Sequence, residues 1–388
     1  MSTLKVDAIR HNSATSDAIT TAADGTCTAK LTSIGGGGLS HRNIIVNGAM
    51  NVAQHGTSQS TTGGSSARCV DRFFAGNPTG SQVQTASQEV DGPVGFYNSL
   101  KVTCTTNNTS ITTSVGDQAK IEYRIEGTDL AYVQLGTSNA QTLSVSFYVK
   151  SNKTGNSAIG LINQNNNRSF VHQFTIASAN TWQRVSFPVV GDTTGTWSKD
   201  TSIGMRMRWG TFGTNHQTST FGAWQAGQFM ATSNSPINFN SATGDYIQIT
   251  GVQVEVGDTV TSFEHRSIGD ELQRCRRYYQ VLVDQADSNS EKSFAIACAY
   301  SSTSMHSIHL LSPEMRTTPT LDYTTGSSYY RAFNNNTSDY FDTFALVGNS
   351  HINAVDLMVS SGLSVTQGAA VLIRTSNNSS RIAFTAEL

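Results

Sequence analysis

The chain is predicted to be all-β: a jelly-roll β-sandwich, a short helix and a smaller C-terminal β domain, preceded by an extended N-terminal segment. Three observations predict this class. Apolar residues recur at every second position in several separate stretches, the period of a strand with one buried face. Charged residues make up only 13% of the chain, while Ser, Thr, Asn, Gly and Gln fill the polar positions and 37% of residues stay hydrophobic. That balance is too apolar for a disordered chain; its β-branched and aromatic residues favour pleated surfaces, and its Gly and Asn favour turns. Finally, a single stretch carries a helical period.

Residues 1–42 read as a separate segment. Leu4, Val6, Ile9 and Ile19 are spaced by polar residues, a turn follows at Ala23-Asp24-Gly25, and Gly35 to Gly38 form a linker. So short a segment cannot bury a core of its own. Its apolar residues are therefore expected to pack against a partner or against copies of the chain.

Residues 43–265 carry the sandwich. Ala119, Ile121, Tyr123 and Ile125 alternate with Lys120, Glu122, Arg124 and Glu126, which predicts one dry and one wet face. Leu143, Val145, Phe147 and Val149 alternate with Ser144, Ser146 and Tyr148. Ile203, Met205, Met207 and Trp209 alternate with Gly204, Arg206 and Arg208, and Phe170, His172, Phe174 and Ile176 share a face. Between Ile249 and Val252 the apolar phase slips, which predicts a β-bulge at Gly251.

Residues 266–280 are expected to be the connecting helix. Ile268, Leu272, Cys275 and Tyr279 fall on one helical face, and Ser267 with Asp270 resembles a capping box. Residues 281–388 alternate again: Phe294, Ile296, Cys298 and Tyr300, then Val355, Leu357 and Val359, then Val371 with Ile373 and Ile382 with Phe384. The stretches around Tyr329-Tyr330, Asn334 to Asn336 and Tyr340-Phe341 read as loops.

Several functions find no support. A net charge of −2 gives no basis for nucleic-acid binding. The five cysteines, Cys27, Cys69, Cys104, Cys275 and Cys298, form no CxxC pair and argue against a disulfide framework or zinc site. The N-terminus lacks a signal-peptide core, and no run of about 18 apolar residues occurs. Motifs of nucleophile elbow, P-loop or zinc-protease type are absent. Asp192, Asp200, Asp245 and Glu264 are carboxylates without a pattern that singles out a glycosidase pair. No catalytic residue and no cofactor is predicted. His172 is expected to be a core or inter-subunit residue, and His306 and His309, three apart on a strand, to face opposite sides. The sequence leaves room for structural Ca²⁺ held by carbonyls and isolated Asp residues.

Stacking of aromatic rings on sugars is the contact chemistry the composition suits best, because a flat ring covers a pyranose face while polar neighbours bond its hydroxyls. Trp197, Trp224, Tyr329, Tyr330 and Tyr340 lie in loop-like polar contexts, with Asn334, Asn335 and Asn336 near by; these are the candidate carbohydrate or receptor contacts.

Asn43-Ile44-Ile45-Val46-Asn47-Gly48, followed by Cys69-Val70-Asp71-Arg72-Phe73, resembles the opening of a family of bacteriophage tail fibre and appendage proteins. Val252-Gln253-Val254-Glu255-Val256-Gly257 with Phe263-Glu264-His265-Arg266 is similar to that family's closing strand. Glu271-Leu272-Gln273-Arg274-Cys275-Arg276-Arg277-Tyr278-Tyr279 is similar to its helix, and Met315 to Thr320 to its C-terminal domain. The ordered match spans about 43–280. Ser2 to Val6 with Ala18-Ile19-Thr20 is similar to virion-anchoring starts, which makes Leu4, Val6, Ile9 and Ile19 the anchoring candidates.

The resemblance implies a jelly roll like carbohydrate-binding modules, a homotrimer, and a virion tail location after assembly in the host cytoplasm. It implies a partner tail protein at the N-terminal segment and a host-surface glycan or outer-membrane component at the other end. A tail adaptor or capsid decoration protein that meets no receptor, and a polysaccharide-degrading tailspike, are the alternatives. The residues have physical readings of their own as well. Asn47-Gly48 signals a turn, Asp71 with Arg72 suggests a pair at a strand edge, and Phe263 suggests a ring sealing one end of the sandwich while Glu264 and Arg266 tie the strand to the helix.

Overall fold

In the computed structural model, which describes residues 6–10, 12, 15–23, 27–29, 41–62, 65–76, 82–107, 119–286 and 291–388, the alternating stretches are strands of two facing antiparallel sheets. The six-stranded sheet runs in the spatial order Gln183–Val189, Leu143–Ser151, Tyr246–Val256, Ser99–Thr106, Val83–Glu89, Ser58–Thr62. The seven-stranded sheet runs Trp224–Ala226, Arg168–Ile176, Gly155–Asn163, Ile203–Thr211, Ala119–Glu126, Phe73–Gly76, Ser66–Ala67. The chain passes repeatedly from one sheet to the other, as a jelly roll requires.

The alternation sets the core. Val145, Phe147 and Val149 meet Ile121, Tyr123, Met207 and Trp209 from the other sheet, all at most 2% exposed. The Phe147 ring stands edge-on to Trp209 at 5.6 Å and to Phe174 at 5.5 Å. Truncating such a ring to alanine costs about 3–5 kcal/mol, so Phe147 ties the two layers together. The predicted bulge is present: Ser146 pairs with Gln253 but Tyr148 pairs with Thr250, leaving Gly251 and Val252 opposite a single residue. Gly251 sits at φ +63°, where a side chain is strained.

The expected wet face of Ala119–Glu126 is corrected by the structure. Glu122 is fully buried, Glu126 and Lys120 are buried, and Arg208 beside them is 6% exposed. Arg208 Nε donates to Glu122 Oε2 at 2.6 Å, Lys120 Nζ lies 3.3 Å from the same oxygen, and Arg124 also bonds this carboxylate. The segment around Met230 lies over this face, with Arg208 Nη1 at 3.0 Å from the Met230 sulfur. Gly160 accepts that close cover because a Cβ there would stand 2.6 Å from the Met230 backbone.

Ser267 caps the helix Ile268–Arg276 by accepting from the Asp270 N–H at 3.2 Å. The helix is shorter than expected, and its buried face is different. Tyr279 opens a strand, Ile268 is 60% exposed, and Glu271 is buried beside Cys275. Glu271 takes the backbone N–H of Asn47 at 2.5 Å and stands 3.5 Å from Arg266, so the charges of the motif tie the helix to the first turn of the sandwich. In that turn Asn47 holds φ +61°, and a Cβ on Gly48 would come within 2.1 Å of the Val252 carbonyl.

The C-terminal unit has a three-stranded sheet, Tyr279–Asp284, Arg381–Thr385, Thr320–Tyr323, and a seven-stranded sheet. The latter runs Thr337–Phe341, Tyr330–Asn334, Ala370–Thr375, Ser293–Ala299, Met305–Leu310, Ala354–Val359, Ala345–Leu346. Its core gathers Tyr330, Phe341, Phe344, Leu357, Val359 and Ile373. One phase is only partly as expected: the register shifts between Ser293 and Ala295, so Phe294 packs inward against Tyr330 and Phe344 while the residues after it are reversed. Ala297 and Ala299 face inward, whereas Ile296 and Tyr300 are 74% and 73% exposed and Cys298 is exposed too. The inner space is already filled by the rings of Tyr330, Phe341 and Phe344, so the small residues take the buried side.

This unit is joined to the sandwich by buried polar contacts. Arg72 Nη1 pairs with Glu387 at 2.5 Å and its guanidinium covers the Tyr278 ring at 3.4 Å. Asp71 instead accepts from the Gln54 backbone and side chain, both at 2.6 Å, so the expected Asp71–Arg72 pair is absent. Burial pushes the Asp71 carboxyl up to about 7. Glu126 accepts from Arg277 at 2.7 Å and from the Tyr278 hydroxyl at 2.7 Å. Arg316 bridges the Thr201, Ala386 and Glu387 carbonyls at 2.7–2.9 Å.

Of the N-terminal segment, Ala8–Ile9, Ile19–Thr21 and Cys27–Ala29 pair as a small antiparallel sheet. Val6 and Ile9 are 43% and 53% exposed and Ile19 is half-buried. Leu4, the Asp24-Gly25 turn and the glycine linker lie outside the described residues.

Candidate functional site

The bulge shapes the outer face of the six-stranded sheet. Because Gly251 has no side chain, the Phe96 ring drops onto it and the Tyr148 ring stands beside it; a Cβ there would come within 2.8 Å of Phe96 and 3.0 Å of Tyr148. Phe96 is the hub of an aromatic cluster, with ring centroids 5.3 Å from Tyr148, 4.9 Å from Phe263 and 5.1 Å from His265. Such edge and tilted contacts suit the ring quadrupole. Phe263 therefore lies on the outer face and does not seal an end of the sandwich.

These rings wall a cleft of about 280 Å³ whose polar lining includes Ser146, Arg184, Ser262 and His265. Its volume is near the lower end of ligand pockets, about 300–1,000 Å³. Arg184 and His265 are exposed, while Phe96, Tyr148 and Phe263 are half-buried. Tyr148 and Arg184 are direct cross-strand partners. Arg184 Nη2 donates to the Thr261 carbonyl at 2.8 Å, which fixes its position over the sheet. Further along the same face, Lys150, Trp182 and Gln248 converge on Asp91, at 2.6, 3.3 and 3.1 Å. Burial raises the pKa of the Asp91 carboxyl, but Lys150, Trp182 and Gln248 outweigh that and hold it below the usual range.

The contacts expected from the sequence fall into two groups on different sheets. Trp197 is only 8% exposed; its Nε1–H donates to Asp192 at 3.1 Å and its ring stands edge-on to Trp224 at 5.1 Å. Trp224 is half-buried against Phe170 and donates to the Val190 carbonyl at 2.7 Å. Trp197 has no free face for a sugar; the pair packs the sheet edge. Tyr330 is fully buried, and its hydroxyl donates to the Thr324 and Arg381 carbonyls, both at 2.8 Å. Tyr329 is half-buried beside it.

Asn334 to Asn336 belong to a hairpin. Asn335 and Asn336 form its two-residue turn at φ +48° and +60°, and Asn334 Nδ2 bonds the Ala370 carbonyl at 2.7 Å. Tyr340 lies 50% exposed on the outer side of the same hairpin.

His172 stacks on Phe187 at 3.8 Å as a packing residue, and burial pulls its pKa down to about 4. His306 bonds Asp356 at 3.0 Å on one face, while His309 contacts Ser307 at 3.1 Å on the other. Among the described residues no group of three or more His, Cys, Asp or Glu side chains is placed to hold a metal. Cys69, Cys104, Cys275 and Cys298 are free thiols. No helix among the described residues is long and apolar enough to cross a membrane.

Sequence reasoning missed the cleft because its rings come from separate places. Phe96 sits in a loop, Tyr148 is the third position of an otherwise serine-bearing face, and Phe263 and His265 follow the last strand of the sandwich. The phase slip at Gly251, together with a tyrosine among serines, is the signal that could have found it.

No protein-family model and no curated protein matches the chain. Among solved structures, the enzymatically active domain of bacteriophage CBA120 tailspike protein 4 aligns at 12% identity and a TM-score of 0.29, covering 58% of this chain and 24% of that one. A CBM22-1 xylan-binding domain from Paenibacillus barcinonensis aligns at 8% identity and a TM-score of 0.25, covering 52% of this chain and 95% of that one. The family 11 carbohydrate-binding module of a Clostridium thermocellum cellulosomal cellulase aligns at 11% identity and a TM-score of 0.25, over 57% of this chain and 97% of that one.

Proposed function

We propose that the chain is a non-enzymatic structural protein of a bacteriophage tail, a fibre or appendage subunit that attaches the virion to a host-surface glycan. The observation that carries the attachment role is the cleft at Gly251, where Phe96 and Tyr148 offer ring surface beside Arg184, Ser146 and Ser262. Flat apolar rings with a few convergent polar groups are what a sugar ring and its hydroxyls require. The tail role rests on the ordered motifs from Asn43 to Tyr279.

A homotrimer belongs to the same proposal. Ile296, Ile308 and Leu310 stand 74%, 63% and 84% exposed on the outer face of the C-terminal sheet, and Val6 and Ile9 remain exposed in the N-terminal segment for a neighbouring tail protein. Exposed apolar surface at both ends also suits the second reading, an adaptor between virion proteins that meets no receptor.

The non-enzymatic part is supported by the partners of the four carboxylates singled out in the sequence, among which Asp200 accepts from the Ser198 and Ser202 hydroxyls, both at 2.5 Å. Asp192 bonds Trp197 and Arg168, Asp245 bonds Ser241 at 2.7 Å, and Glu264 bonds the Asn43 N–H at 2.7 Å. The test is binding of the full-length protein to a panel of bacterial surface glycans and to host cells. Wild-type protein is expected to bind, and Phe96→Ala with Tyr148→Ala to reduce binding at least ten-fold while the fold persists by circular dichroism. Binding that survives both substitutions would remove the cleft from the reading, and release of reducing ends from the polysaccharide would overturn its non-enzymatic part.

A further inference from the structure

The cleft carries a permanent positive charge on Arg184. Its lining contains Arg184 and His265 and no carboxylate. The acids on neighbouring segments are engaged elsewhere. Asp91 is held by Lys150, Trp182 and Gln248. Glu255 takes the Thr261 N–H and hydroxyl, both at 2.8 Å. Glu264 holds the N–H of Asn43 at 2.7 Å and stands 3.4 Å from Arg266. Asp258 accepts from the Thr259 hydroxyl at 3.0 Å. Among the described residues none of them forms an ion pair with Arg184, which instead donates to the neutral Thr261 carbonyl at 2.8 Å.

Geometry places that charge where a stacked sugar would meet it. Tyr148 and Arg184 are paired across adjacent strands with their side chains on one face. Directly opposed residues have Cβ atoms about 4.5–5.5 Å apart, roughly the breadth of a pyranose ring. A sugar lying on the Tyr148 and Phe96 rings therefore presents its edge to the guanidinium. A guanidinium carries five N–H donors in a fixed fork that fits a carboxylate bidentately, and the Thr261 carbonyl engages only one edge of it.

We propose that the cleft takes a sugar bearing a carboxylate, a uronate or a sialate, with its ring face on Tyr148 and Phe96 and its carboxylate on Arg184. This rests on the carbohydrate-binding reading of the same cleft and adds the class of sugar and the residue that selects it. Arg184 is the specificity-determining residue, and the rings supply binding that any sugar of the right shape shares.

The experiment compares full-length wild-type protein with Arg184→Gln, Arg184→Lys and Tyr148→Ala. The probes are glucuronate-containing and sialylated oligosaccharides, the same oligosaccharides after chemical reduction of each carboxylate to a hydroxymethyl group, and phosphorylated oligosaccharides. Wild type is expected to bind the acidic forms at least ten-fold more tightly than their reduced counterparts. Arg184→Gln should bring the two to the same level, Arg184→Lys should keep part of the difference, and Tyr148→Ala should weaken both while leaving their ratio. Equal binding of acidic and reduced forms by wild type overturns the acidic-sugar assignment and leaves the glycan reading standing. The assignment is overturned in the same way if only phosphorylated probes bind, or if Arg184→Gln keeps the preference. Wild-type protein that binds none of the panel, in either form, overturns both.

Discussion

The sandwich and the C-terminal unit pack their inner sheet faces alike but finish their outer faces in opposite ways. On the sandwich strand Ala119–Glu126, the outward residues Lys120, Glu122 and Arg124 form a charged cluster, with Glu122 at 0% exposure under neighbouring chain. On the C-terminal strands Ser293–Ala299 and Met305–Leu310, the outward residues include Ile296, Ile308 and Leu310, all more than 60% exposed, beside Cys298 and the His306–Asp356 pair. A face roofed by its own chain can hold charges, provided they are paired and bonded. A face of large aliphatic residues in water gains only if another surface covers it. The first device closes the molecule upon itself; the second leaves large aliphatic side chains in water, as the proposed homotrimer would use them.

The largest effect is expected where that contrast is broken on the apolar side. Replacing Ile308 and Leu310 by aspartate removes two large side chains from the proposed contact between copies. Burying each is worth about 1.5–3 kcal/mol, so the pair carries roughly 3–6 kcal/mol per subunit. Light scattering should report a trimer for wild type and a monomer for Ile308→Asp with Leu310→Asp. The melting temperature of the separated subunit should change little with concentration. A wild-type protein that is monomeric at tens of micromolar would sink the homotrimer.

Breaking the charged side is expected to cost less, but within the subunit. Burial alone would raise the Glu122 carboxyl, yet Arg208, Lys120 and Arg124 together hold it down at about 2, against a usual 4.5. A carboxyl held below its unfolded value contributes stability that is fully present above about pH 4.5 and is lost as the pH falls toward 2. The shift corresponds to about 3 kcal/mol. Glu122→Gln should therefore lower stability at neutral pH by about 3–5 kcal/mol, because it leaves buried cations unpaired. It should also flatten the acid limb of the stability profile between pH 4.5 and 2. Denaturant unfolding at a series of pH values checks both, and an unchanged acid limb would show that Glu122 is not its source.

The same contrast explains what was legible in the sequence. Where one face is apolar and the other small or polar, as in Leu143–Ser151, the alternation marked the buried side without ambiguity. The slip at Gly251 and the Ser267 cap were readable because each depends on a residue and its immediate neighbours. The phase failed in Ser293–Ala299 beyond Phe294, where the register shifts, alanines and large apolar residues alternate, and hydrophobicity alone cannot say which set is inside. It failed in the opposite sense at Glu122, since charge ordinarily marks solvent and nothing local announces a covering segment from as far along the chain as Met230. Trp197 and Tyr330 looked like contact residues because aromatic rings among polar neighbours suit sugars. Their buried hydrogen bonds to Asp192 and to backbone carbonyls are tertiary facts. The cleft residues were all visible, but their convergence depends on the bulge, the loop carrying Phe96 and the return of the chain at Phe263.

The smallest expected effect concerns the asparagines of the C-terminal hairpin, which separate a turn from a ligand contact. Asn335 and Asn336 both hold positive φ in the two-residue loop between Tyr330–Asn334 and Thr337–Phe341. Hairpin loops of this length favour turns whose residues tolerate that region, and glycine tolerates it best. Asn336→Gly should therefore change stability by only a few tenths of a kcal/mol, since relief of the left-handed backbone is offset by the added freedom of the unfolded chain. If the side chain contributes only to the turn, glycan binding should be unchanged as well. A binding loss of ten-fold or more, with stability preserved, would return the hairpin tip to the contact surface. Tyr340, exposed beside it, would then be the next ring to substitute. Because the backbone is the same in either case, this one exchange discriminates between a residue chosen for its φ and one chosen for its amide.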